Sequence, residues 1–202
     1  GISTGNLDVM LTGTTAGALS GQILHIENNF ANVANQDLLI TGGVFRFAEP
    51  GAHTPEPVAL DNVHVGGTFN EQLLSISNTA TADGFSEGLN ASFTGTAGDA
   101  SASGSFSVLD AGATDSTNLS VSLNDTTTAG AKSGTATIGF VSDGAGTSDL
   151  GQTVLSSSDQ TVTISGGVFR LANPTAHTPA PVILGDIHVG ESFGSQLLSI
   201  TN

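Results

Sequence analysis

The side chains most able to do chemistry recur in matched pairs. They are His53 with His177, His64 with His188, and Arg46 with Arg170. Imidazole can bind a metal, move a proton or hydrogen-bond the backbone. No pair shows the H-x-H or H-x-x-x-H spacing that builds a metal site locally. The expected role of these four of the five histidines is therefore hydrogen bonding at a structural joint. Arg46 and Arg170 are the only arginines among three cationic residues. A planar guanidinium at a joint can clamp carbonyls or a carboxylate; the plainer reading is a solubilising charge. The clamp is the expectation adopted.

Gly84-Phe85-Ser86-Glu87-Gly88 matches G-x-S-x-G by letter. A nucleophile elbow needs a strand, a sharp turn and a helix. The Thr, Ala, Asp, Gly and Asn around it promise no helix, so the match reads as chance and no enzyme is expected. The Gly-rich stretch from Asp143 to Asp149 lacks the carboxylate density and terminal Glu of a calcium loop, and reads as an exposed turn. Asn90, Asn118 and Asn124 open N-x-S/T triplets and are candidate glycosylation sites. No cofactor is expected.

The pairs arise because one stretch occurs twice. Ile40 to Asn78 and Ile164 to Asn202 share 25 of 39 positions, without a gap, at an offset of 124. Each copy holds GGVFR, a proline-rich joint and further strand-like sequence. All six prolines lie in these joints, at 50, 55 and 57 and at 174, 179 and 181. Proline cannot donate to a sheet ladder, and its density predicts stiff, extended joints holding a fixed angle. A second match aligns Asn6–Gly21 with Asn118–Gly134 at 11 positions, with Thr128 as one inserted residue.

Alternating apolar residues predict strands at Leu7–Leu11 and near 22–26, 37–44, 58–65, 72–78, 90–95, 103–109, 118–123, 134–141 and 160–170. Seven short strands in the central 115 residues or so, with no helical stripe, predict an immunoglobulin-like β-sandwich. The N-terminal segment matches the last three strands of that unit, and the C-terminal segment matches its first two. The fold expected is thus all-β, one complete sandwich module flanked by two partial ones. Residues 1–49 form the C-terminal half of one module, 50–57 a joint and 58–173 the complete sandwich. Residues 174–181 are the second joint and 182–202 the opening strands of a further module.

The sequences around VHVG, LLSISN, NLSVSL, AGAKSGTATI and TVTISGG resemble bacterial surface Ig-like modules of the choice-of-anchor D type, within the wider class of ASH-like sandwiches. The resemblance implies a tandem building block of secreted or wall-associated proteins, and so an extracellular or cell-surface location.

Composition narrows the partners. A net charge of −15 with three cationic residues leaves no basic surface for nucleic acid, and an anionic membrane surface would repel it. No run of about 18 apolar residues predicts membrane insertion. With no cysteine, disulfides and thiolate sites are excluded.

A sandwich lacking strands exposes a sheet edge and an open core. Either covalent neighbours complete it in a longer tandem protein, or another copy does. The second predicts a head-to-tail fibre of this chain, because such a contact does not close on itself. Val182, Leu184, Ile187, Val189, Phe193, Leu197, Leu198 and Ile200 would pack against Leu7, Val9, Leu11, Leu24, Ile26, Leu38 and Ile40 of the next copy. The alternative is an adhesin binding carbohydrate or protein through sandwich loops, against which stands the absence of Trp and Tyr.

Overall fold

The computed structural model describes Gly5 and residues 8–202. Its regular structure is β throughout, apart from one 3-10 turn at Ser156–Ser158. The strands are β1 (Gly17–Ile26), β2 (Gln36–Val44), β3 (Val58–Ala59), β4 (Val63–His64), β5 (Gln72–Ser77) and β6 (Gly88–Gly98). They continue with β7 (Ala100–Ser103), β8 (Ser105–Leu109), β9 (Thr114–Leu123), β10 (Gly130–Asp143), β11 (Gln152–Val154) and β12 (Gln160–Phe169). The all-β expectation holds.

From β3 onward the strands make a two-layer sandwich. The larger sheet runs β3-β12-β10-β6-β8, with β11 on β10 and β4 on β12. The smaller runs β5-β9-β7. Alternate residues of each strand point inward. Ala136, Ile138 and Phe140 of β10 and Val162, Ile164 and Val168 of β12 meet Leu74 and Ile76 of β5 and Leu119, Val121 and Leu123 of β9. Among the described residues this is the single core cluster.

The strand expected around Val9 and Leu11 does not form: residues 8–14 are irregular, with no neighbouring strand paired to them, and β1 starts at Gly17. Two other expected strands divide. The segment 103–109 breaks at Gly104, so that β7 belongs to the small sheet and β8 to the large one. Gly104 has φ of +100°, and a Cβ there would fall 1.8 Å from the Asn118 carbonyl oxygen. At the other corner, between β6 and β7, Gly98 has φ of +67°. Only glycine takes both turns without strain. The segment 58–65 divides into β3 and β4, both parallel to β12.

Ahead of the sandwich, β1 and β2 form an antiparallel hairpin whose register repeats that of β10 and β12. Gly17 pairs with Val44 as Gly130 pairs with Val168, and Leu19 pairs with Gly42 as Lys132 pairs with Gly166. A bulge between Leu19 and Gln22 then shifts the hairpin by one residue. After it, Leu24 faces Leu38 as Ala136 faces Val162. Beyond β12, residues 171–202 contain no strand, and every one of them is exposed.

Candidate functional site

The first joint is bound tightly to the sandwich. The Arg46 backbone bridges to Ser86: its N–H donates to Phe85 O (2.8 Å) and its carbonyl accepts from Glu87 N–H (3.0 Å). Arg46 Nη1 donates to both oxygens of Asp83, at 3.0 and 2.8 Å. That bond, with the Phe85 N–H, holds the Asp83 carboxyl below its usual range. Phe45 lies against Phe85 at a ring separation of 5.4 Å. Attachment to the sandwich therefore begins upstream of the prolines.

Asn78 fastens the next turn of the joint from inside the protein. Its Oδ1 accepts Glu49 N–H (3.1 Å) and Ala80 N–H (3.3 Å), and its Nδ2 donates to Glu87 O (3.1 Å) and Leu109 O (3.0 Å). All four hydrogen-bonding positions of the amide are used, in a fully buried place.

His53 is buried and completes the joint. Gln160 Oε1 accepts both the His53 N–H and the ring Nδ1–H, each at 2.8 Å, while Gln160 Nε2 donates to Gly51 O at 2.9 Å. The Gly51 carbonyl fixes which way the Gln160 amide points, so Nδ1 must be the donor. The ring Nε2 lies 2.9 Å from Glu56 Oε2. Burial would raise the Glu56 carboxyl, but the bonds from His53 and Thr163 N–H outweigh it and lower it.

The second joint repeats the local bonds of the first. Asn173 N–H donates to Asn202 Oδ1 (2.7 Å) as Glu49 does to Asn78. Thr175 N–H donates to Thr201 O (2.7 Å) as Gly51 N–H does to Ser77 O (2.8 Å). Thr178 and Ser199 exchange two backbone bonds (3.0 and 2.9 Å), as Thr54 and Ser75 do (3.0 and 2.8 Å). Each pair of residues is displaced by 124. The X–Pro bonds before Pro55, Pro57, Pro179 and Pro181 are all cis.

The copies differ in what covers them. Val58, Phe69, Leu74 and Ile76 are at most 3% exposed, whereas Val182, Phe193, Leu198 and Ile200 are 42% to 63% exposed. Leu184, Ile187, Val189 and Leu197 are exposed as well, but only the first two differ from their counterparts: Leu60 and Val63 are half-buried, whereas Val65 and Leu73 are exposed in the sandwich too. The hairpin is the converse case. Leu24, Ile26, Leu38 and Ile40 hold the register positions of Ala136, Ile138, Val162 and Ile164, all 0% exposed, yet Leu38 is half exposed and the other three half-buried. Val9 is exposed and Leu11 half-buried, opposite in alignment to buried Val121 and Leu123. Leu7 lies outside the described residues.

The remaining paired residues are spread out. His64 is exposed, and its carbonyl accepts Gly67 N–H in a turn. His188 repeats the turn by accepting Glu191 N–H (3.1 Å), and His177 is exposed. Arg170 is also exposed. With Phe169 it borders an open groove of about 660 Å³, also lined by Asn62, Gly130, Gly166 and Gly167. The equivalent pair, Phe45 and Arg46, is the one seated on Phe85 and Asp83.

The other candidates are not brought together. Ser86 is buried and its hydroxyl donates to Thr81 O (2.8 Å). The Asp143 carboxylate accepts Ala145 N–H, Asn90 Nδ2 and Gln152 Nε2, which lower its pKa in that order. Asn90 thus sits half-buried in β6 with its amide engaged, while Asn118 and Asn124 are exposed. Among the described residues no group of three or more His, Asp or Glu could hold a metal ion, and no helix is long and apolar enough to cross a membrane.

Sequence reasoning passed over Gln160, Asn78, Asp83 and Glu56. Asn78 and Asn202 close the two repeats, and Gln36 and Gln160 match at the same offset just before them. That alignment was the available signal for all but Asp83 and Glu56, which have no counterpart. Compared with known proteins, the chain matches no family model and no curated protein.

Proposed function

We propose that this chain is an extracellular structural protein, a repeat segment of a fibre built head-to-tail from Ig-like sandwich modules of the choice-of-anchor D kind. The C-terminal segment of one copy and the N-terminal hairpin of the next make a shared unit. The reading rests on one observation. The same apolar residues are buried in the sandwich and uncovered at the C-terminus, while the hairpin carries the register of the strand that buries them.

Fully burying an apolar side chain contributes about 1.5–3 kcal/mol. Val182, Phe193, Leu198 and Ile200 are each about half exposed, so covering them would supply roughly 3–6 kcal/mol, at the low end of an association cost of about 4–15 kcal/mol. Main-chain pairing and the cover of Leu184 and Ile187 add to it.

Negative-stain microscopy and light scattering test the reading. The full chain is expected to form filaments and the chain lacking residues 182–202 soluble monomers. Filaments from the truncated chain would refute strand donation.

A further inference from the structure

Gln160 gives the sandwich a lock that can be read across to the ends of the chain. Its amide accepts two bonds from His53 and donates one to Gly51. At the offset of 124, His53 and Gly51 become His177 and Thr175, and Gln160 becomes Gln36, the first residue of β2. Gln36 and His177 are both exposed. His177 sits in a segment whose backbone already repeats that of the first joint, at Thr175–Thr201 and Thr178–Ser199. Gln36 sits on the strand that repeats β12. Each half of the lock is present, and among the described residues neither meets the other.

We infer that Gln36 of one copy seats on His177 of a second copy and sets the register of assembly. Gln36 Oε1 accepts the His177 N–H and Nδ1–H, and Nε2 donates to the Thr175 carbonyl. With that lock closed, β2 runs parallel to the C-terminal segment of the partner. Ile40 then lies beside Val182 as Ile164 lies beside Val58, and Val44 beside Ile187 as Val168 lies beside Val63. A slip of one residue would turn Leu38 and Ile40 to the wrong face. A polar lock at one end of the strand is a device that forbids it. At Glu56's position the second joint has Ala180, so this lock holds the ring through Nδ1 alone. The inference rests on the fibre reading and adds to it the register and the residues that set it.

The absence of cysteine makes the test clean. Gln36→Cys and His177→Cys chains are mixed and treated with a short bis-maleimide, to which each thiol adds without a change of oxidation state. A His53→Cys/Gln160→Cys chain serves as an internal ruler for the same spacing. The expected result is a mixed dimer from the first pair and none when Gln196→Cys replaces His177→Cys. Gln36→Ala should raise the concentration needed for assembly roughly tenfold, the effect of losing one or two net hydrogen bonds, with the melting of the sandwich unchanged. Filaments that form equally well with Gln36→Ala, and cross-link equally at Gln196, would overturn the register and leave the fibre reading standing. No assembly at any concentration would remove both. A Gln36→Cys/His177→Cys chain that cross-links only within itself at high dilution would replace the second copy by the chain's own hairpin.

Discussion

Arg46 and Asp83 are 37 residues apart, and one guanidinium nitrogen of Arg46 holds both carboxylate oxygens of Asp83 at 3.0 and 2.8 Å. The pair ties the strand leaving the hairpin to a loop of the sandwich. Both side chains are more than a third exposed, so screening limits what the pair adds to stability. Arg46→Ala is expected to leave the melting temperature of the sandwich nearly unchanged. It should loosen the hairpin, read as a broader distribution of hairpin orientations in residual dipolar couplings. An unchanged distribution would mean that the backbone bridge to Ser86 suffices.

The offset repeat permits a paired experiment. Phe69→Ala should destabilise the sandwich by about 3–5 kcal/mol and Ile76→Ala by about 2–5 kcal/mol, because each empties part of a closed core. Phe193→Ala and Ile200→Ala should leave urea unfolding of the sandwich unaltered and suppress filament formation. Equal destabilisation by both members of a pair would show that the C-terminal segment packs within its own chain.

Asn78→Ala removes an amide that serves four backbone groups in a fully buried place. Each group left without a partner costs about 1–3 kcal/mol, and some regain water near the joint. The expected loss is roughly 3 kcal/mol, seen as a lower urea midpoint with the same slope. Asn202→Ala should not move that midpoint.

Acid should weaken the fold within a definite range. Asp83, Glu56, Asp143 and Asp125 all have lowered carboxyl pKa values. The hydrogen bond from Lys132 is the main cause for Asp125. A carboxyl lowered in the folded state contributes stability above its unfolded value, near 4, and loses it as pH falls through the folded value. Thermal melts should be level from pH 7 to about 5 and fall steeply below about 4. Thr163→Pro, which removes the N–H bonded to Glu56, is unsuitable because it breaks β12; Glu56→Gln is expected to reduce the acid sensitivity instead.

The apolar alternation of Leu119, Val121 and Leu123, and of Val162, Ile164 and Val168, is local, and two-residue periodicity alone marked these segments as strands. The repeat likewise matched the joints, because identical residues in identical order make identical short-range bonds, such as those at Thr54–Ser75 and Thr178–Ser199. Sequence alone thus determined the β class and the equivalence of the two ends with parts of the centre. It could not distinguish Val58 from Val182, or Phe69 from Phe193, since burial depends on which distant strand lies across the residue. Tertiary structure decided that β12 and β9 cover the first copy and that nothing within the described chain covers the second. It also decided that Gln160 and Asp83, remote in sequence from His53 and Arg46, are the groups those side chains meet. Hydrogen-bond partners separated by 107 and 37 residues are set by sheet register and loop path, and no local pattern encodes them.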